Sequence, residues 1–251
     1  MYKNNLLEKS KNRKVILQKG KYQVIEYAQD MSVNKSTAIN EYFASRMNVR
    51  KRQVLCNLNN EGMVLQAGAM QMLFGNIEVK TNVSGIGDLF KKAISSSVTG
   101  ESAIKPKYSG SGQVLLEPTY KHILVEDLND WNGAMTIDDG LFLACDDSVE
   151  IKTVARRNVS SAILGKEGLF NTSLVGKGFV VLESDIPYDE LVLVELNNDT
   201  VKIDGNMAIA WSSNLSFTVE KTTKTLIGSA ASGEGFVNVY KGTGKILVAI
   251  V

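Results

Sequence analysis

With 251 residues, 44% of them hydrophobic and 22% charged, the chain carries enough apolar material for a sizeable core, and its length permits one or two domains. A formal net charge of +1 argues against a surface built wholesale for nucleic acid or anionic membrane. No apolar run approaches the roughly 18 residues of a membrane-spanning helix, and MYKNNLLEKSKNRK lacks the apolar centre of a secretory signal, so a cytoplasmic protein without a membrane span is expected.

From the start of the chain, KYQVIEYA (residues 21–28) has strand character, whereas NKSTAINEYFASRM (residues 34–47) fits either a short helix or an irregular arm. The overlapping stretch EYFASRMNVRKRQ brings together Tyr42, Phe43, Arg46, Arg50, Lys51 and Arg52, and such basic and aromatic side chains can grip phosphates and stack bases. A strand from Arg50 to Val54 would put Arg50 and Arg52 on one face and Lys51 on the other. Divided in that way, the basic segment reads as a solvated strand face, and nucleic acid is disfavoured as a partner. GDLFKKAISSSV (residues 87–98) is the one clear helical pattern, with Leu89, Phe90, Ala93 and Ile94 at helical spacing. Beyond it QVLLE, ILVEDL, FVVLE, LVLVELN, GFVNVYKG and KILVAIV are short apolar runs bounded by Gly, Asn and Asp, which predicts an all-β fold. The last run has no polar tail, so that strand is expected to be buried in its own sheet or covered by a neighbour, a homo-oligomer included.

The sequence repeats itself. GSGQVLLE from Gly110, GKGFVVLE from Gly176 and GTGKILVA from Gly242 are spaced by 66 residues. Upstream, TGES, KEGLF and GEGFV align Glu101, Glu167 and Glu234, and further upstream NIEVKT, SVEIKT and NLSFTV correspond. TIDDGLFLAC also matches KIDGNMAIAW, with Asp138 opposite Asp204. Three tandem repeats follow, with an N-terminal arm plus repeat one over 1–119, repeat two over 120–185 and repeat three over 186–251, all in one compact unit. The recurrent Gly-x-Gly is therefore expected to mark a tight turn. It fails as a nucleotide loop because Ile246 stands where a Ser or Thr should follow Gly244-Lys245.

Candidate chemistry is sparse. Cys56 and Cys145 are too few for a disulfide framework and read as small core residues. His122, the single histidine, sits in a strand-like run and reads as structural, and no G-x-S-x-G elbow is present. Asp138, Asp139, Asp146 and Asp147 cluster in sequence but read as solvated turn formers. Glu101, Glu167 and Glu234 would suit an oxygen-ligand cation only if the repeats brought them to a common axis; their simpler role is to accept backbone hydrogen bonds. No cofactor, no metal and no catalytic set is expected.

LQAGAMQMLFGNIEVKT, TGESAIKPKYSG, DDGLFLACDDSVEIKT and GSAASGEGFVNVYKGTGKILV together resemble the family named after altered inheritance of mitochondria protein 24, whose bacterial members were long grouped as a domain of unknown function. The resemblance runs from about Gly62 to Val251. It implies a fold similar to the tryptophan RNA-binding attenuation protein (TRAP-like): three β-sandwich, double-stranded β-helix-like units with pseudo-threefold symmetry, one short helix lying in the first unit's insertion. The resemblance leaves the role open, and the sparse chemistry points to a non-enzymatic binding or scaffolding protein whose partner the sequence does not name. The alternative is a small-ligand or nucleic-acid binder that uses a seam between repeats or the basic segment around Arg50.

Overall fold

Runs of Val, Ile and Leu bounded by Gly, Asn and Asp become fifteen strands among the described residues of the computed structural model, which are 3–8, 10–81, 105–155, 170–205, 207–221 and 236–250. The N-terminal part gives β1 (Arg13–Lys19), β2 (Tyr22–Tyr27), helix α1 (Ala38–Arg46), β3 (Arg52–Leu65), β4 (Met70–Lys80) and β5 (Lys107–Leu116). The middle gives β6 (His122–Asp127), β7 (Ala134–Ile137), β8 (Phe142–Asp146), β9 (Val149–Ala155), β10 (Phe170–Gly176) and β11 (Phe179–Ser184). The last part gives β12 (Leu191–Asp204), β13 (Ala208–Ser212), β14 (Ser216–Lys221) and β15 (Phe236–Ala249). The protein is thus mostly β, and the strands form two curled, barrel-like sheets.

One sheet has eight strands in the order β1-β2-β3-β8-β11-β6, with β5 on the other edge of β3 and β4 beyond it. The other has seven, in the order β12-β15-β13-β7-β10-β9, with β14 also on β15. Both turn on a long strand with two successive neighbours along one edge. β3 pairs with β2 near Arg52–Cys56 and with β8 at Met63–Leu65, and β15 pairs with β14 over Phe236–Lys241 and with β13 at Ile246–Val248. The middle part of the chain is divided: β6, β8 and β11 go to the first sheet, β7, β9 and β10 to the second.

This division explains why the strands read as continuous apolar runs. In β6 and β11, Val125 and Val181 face a core with Tyr22, Val54, Cys56 and Met63, while Leu124, Val180 and Leu182 face a second core with Trp131, Met135, Ile137 and Leu247. In β13 and β15, Ala210 and Leu247 face that second core and Trp211, Ile246 and Val248 a third, where Trp211 and Phe217 stack. Strands walled on both faces have no polar side to show. The apolar run Lys245–Ala249 is accordingly central, between β12 and β13.

The segment left open between helix and arm is helical as α1, begun by an Asx turn in which the Asn34 side chain accepts from the Ser36 and Thr37 amides. Its outward face carries exposed Ile39 and Phe43, and exposed Met47 follows at its C-cap. The helix expected at 87–98 lies outside the described residues. The tight turn expected at each Gly-x-Gly is present only at Gly176–Gly178, between β10 and β11; the copies at Gly110 and Gly242 lie inside β5 and β15. All three leading glycines share one backbone conformation, with φ of 138°, 138° and 133°. Opposite Gly110 and Gly242 the partner strands are irregular, between Asn59 and Glu61 in β3 and between Leu196 and Asp199 in β12. A left-handed asparagine sits at each irregularity, Asn60 at φ 55° and Asn198 at φ 52°, so the extra residue is absorbed as a bulge and the ladder continues where a turn was expected.

Candidate functional site

The β1–β2 hairpin, the bulged middle of β3, the β4–β5 pair and the β8–β9 turn enclose an open cleft of about 1370 Å³. Its floor is a polar hub. Lys21, the second residue of the two-residue β1–β2 turn, donates to the Gly62 carbonyl at 2.9 Å and pairs with Glu61 at 2.9 Å and Asp146 at 3.3 Å. Asp146, at the end of β8, also accepts from the Tyr22 hydroxyl at 2.9 Å and from the Phe179 amide at 3.0 Å. Burial alone would lower the Lys21 pKa, but Glu61 and Asp146 outweigh it and the net shift is upward; the Tyr22 hydroxyl is pushed well up by burial and the Asp146 charge. Asp146 is therefore a committed structural carboxylate tying β1–β2, β8 and β11 together, and its reading as a solvated turn former is corrected. Nothing local announced it, because its side-chain partners Lys21 and Tyr22 lie more than a hundred residues away.

On the walls, side-chain amides are linked head to tail. Gln23 donates to Gln18 at 3.1 Å, Asn57 to Gln23 at 3.2 Å, Gln113 to Asn57 at 2.7 Å and Asn4 to Gln113 at 3.2 Å. Gln18, Gln23 and Asn57 line the cleft, as does Phe179, whose ring stands 2.6 Å from where a Cβ on Gly20 would be.

The basic segment is placed elsewhere and is fully occupied. Arg52, 2% exposed, and Arg50 both hold the Glu26 carboxylate, at 2.7 Å and 2.8 Å, and Lys51 pairs with Asp30 at 3.1 Å. The strand expected from Arg50 begins only at Arg52, and in place of a solvated face Arg50 and Arg52 converge on Glu26 while Lys51 goes to Asp30, all three facing the protein's own carboxylates. Asp30 also accepts from Tyr120, and this bond, with the Ser32 amide and Lys51, lowers its pKa from 3.8 to about 2. A folded-state value below the unfolded one stabilises above pH 3.8, and that gain is lost as pH falls through about 2. Tyr120→Phe should therefore destabilise more at pH 7 than at pH 2, measured by urea unfolding at both.

Glu101, Glu167 and Glu234 lie outside the described residues. His122 is half-buried on β6, its pKa lowered by burial and by Arg52. Cys56 and Cys145 are buried free thiols, pushed well up by burial. One further carboxylate was not legible: Glu126 on β6 is 7% exposed, takes the Trp131 indole N–H at 3.1 Å on Oε2, and leaves Oε1 without a partner among the described residues. Burial raises its pKa, against the Trp131 hydrogen bond, so folding favours the protonated form and stability falls as pH rises from the unfolded value through the folded one. Glu126→Gln should gain stability relative to the parent between pH 4 and pH 7, as followed by thermal unfolding across that range.

These features define an all-β protein with a charge-matched polar cleft. The chain belongs to the family described as mitochondrial biogenesis AIM24, whose family model matches residues 45–249. It is similar to an uncharacterised protein of Streptococcus pyogenes serotype M6, 29% identical over 201 residues that make up 76% of this chain and 78% of the relative. A crystal structure of a Streptococcus pyogenes protein superposes with a TM-score of 0.59 at 26% identity, covering 82% of this chain and 90% of that one. The family match begins at Ser45, so Gln18, Lys21 and Gln23 meet Asn57 and Asp146 from outside it.

Proposed function

We propose that this protein is a non-enzymatic, cytoplasmic binding module whose ligand occupies the cleft floored by Lys21 and Asp146. One observation carries the reading: the cleft's cations and anions are paired with one another, and neither histidine nor cysteine is among its described lining, so it offers hydrogen bonds and shape in place of a nucleophile and base. The buried, unpaired thiols suit a reducing compartment.

The same reading takes the chain as three copies of a TRAP-like unit about a pseudo-threefold axis. What supports it is a shared device: Asn60, Asn132 and Asn198 are all left-handed (φ 55°, 55°, 52°), and Asn60 and Asn198 donate their amides to hydroxyls inside the Gly-x-Gly motifs, Ser111 and Thr243. The hairpins β4–β5, β9–β10 and β14–β15 recur in the same positions.

The test is a thermal-shift and native-mass screen of small metabolites on the full chain and on Asn76→Trp, which places an indole on the cleft wall at an exposed strand position. A ligand that binds the parent saturably and is lost in Asn76→Trp, with unfolding unchanged, is the expected result. Ligands that bind both proteins equally would overturn the cleft assignment.

A further inference from the structure

Building on the cleft as the binding site, we infer that its ligand is an uncharged oligosaccharide. Charge is the first consideration. Each lysine at the cleft has an acidic neighbour there: Lys21 with Glu61 and Asp146, Lys107 with Asp147 at 3.0 Å, and Lys80 with Glu78 at 3.4 Å. An anionic ligand would have to displace a carboxylate that already holds its lysine, and a cationic ligand would meet lysines bound to the carboxylates it needs. Complementarity favours a ligand of no net charge.

The second consideration is the surface left over. Gln18, Gln23 and Asn57 form one end of the amide ladder, laid across β1, β2 and β3. Each amide has two N–H donors and a carbonyl with two lone pairs. Gln23 and Asn57 each spend one N–H and one lone pair in the ladder, and Gln18 spends one lone pair alone, so donors and acceptors alternate along the wall with capacity to spare among the described residues. A sugar hydroxyl donates and accepts at once and pairs with either, and successive hydroxyls along a chain repeat that demand. Neighbouring amides hold one another in place, so little side-chain freedom is lost on binding. Phe179 adds an aromatic ring to the same cleft, held against the bare backbone of Gly20, and its face suits the C–H groups of a pyranose.

The experiment is a titration of ¹⁵N-labelled full-length protein with maltotriose, cellotriose and triacetylchitotriose, with inorganic phosphate and spermidine as charged probes, following the side-chain NH₂ resonances of Gln18, Gln23 and Asn57. The expected result is saturable shifts of these resonances with at least one trisaccharide, and binding about fivefold weaker in Gln18→Ala, an exposed position at the ladder's end, as loss of one neutral hydrogen bond implies. Phe179→Leu, which keeps an apolar side chain, should weaken binding without moving the resonances of the free protein's ladder. Shifts produced by phosphate or spermidine and by no saccharide would overturn the ligand class while leaving the cleft as a binding site. Silence with all five probes would overturn the oligosaccharide assignment, and the cleft's use would then stand or fall on the Asn76→Trp comparison.

Discussion

Replacing Glu26 by alanine should cost about 3–5 kcal/mol, the largest loss expected from any single substitution outside the cores. Glu26 on β2 is the shared anion for Arg50 and Arg52, and among the described residues no other carboxylate pairs with Arg52: its remaining bonds go to the Arg50 and Asn48 carbonyls and the Asn48 side chain. At 2% exposure the guanidinium cannot reach water when its partner is removed. The cost is that of a stranded charge, not the net worth of the pair. Glu26→Ala combined with Arg52→Met should therefore be more stable than Glu26→Ala alone, by about 1 kcal/mol or more. Urea unfolding of the parent, the single and the double variant measures both, and a single variant within about 1 kcal/mol of the parent would show the cluster to be screened by solvent.

Gly110→Ala is the second large effect. At φ 138° a Cβ is already disfavoured, and here it would fall on the Asn76 carbonyl oxygen of the neighbouring strand β4, which cannot withdraw without breaking the β4–β5 ladder. Backbone strain and the enforced shift together should cost about 3 kcal/mol, a drop of roughly 10 °C in Tm for a chain of this size. Gly68→Ala is the control: φ is 82°, but nothing lies within 4 Å of the added atom, so only the strain, about 1 kcal/mol, remains. Equal losses at the two sites would show that the Asn76 contact relaxes freely.

The sequence announced strands well and their company poorly. ILVED, FVVLE and KILVA carry the mark of strands buried on both faces, and the structure places them between successive cores. The repeated Gly-x-Gly was visible, but its conformation depended on what faces it: a bulged strand at Gly110 and Gly242, a reversal at Gly176. Three lysine-arginine charges in a row at Arg50–Arg52 looked solvent-facing because Glu26 and Asp30, which neutralise them, lie twenty or more residues earlier. Lys21 and Asp146 are farther apart still, and the amide ladder gathers Gln18, Gln23, Asn57 and Gln113 from four strands. A site made by strand adjacency has no local period to betray it, whereas burial on both faces does.

The division of the middle strands between the two sheets governs the order in which this fold can be completed. The edge of β3 at Met63–Leu65 waits for β8, β8 waits for β11, and β11 ends at Ser184. At ribosomal speeds the roughly 120 residues separating Leu65 from Ser184 take on the order of ten seconds to emerge. Throughout that interval the nascent chain presents an unpaired strand edge, first that of β3 and then that of β8. Between those strands the chain has also delivered β7, β9 and β10, which belong to a sheet that cannot close before β15 arrives. The two sheets are thus entangled in the order of synthesis, and a nascent chain released midway would hold two unfinished edges at once, the state in which chaperones and aggregation compete for it.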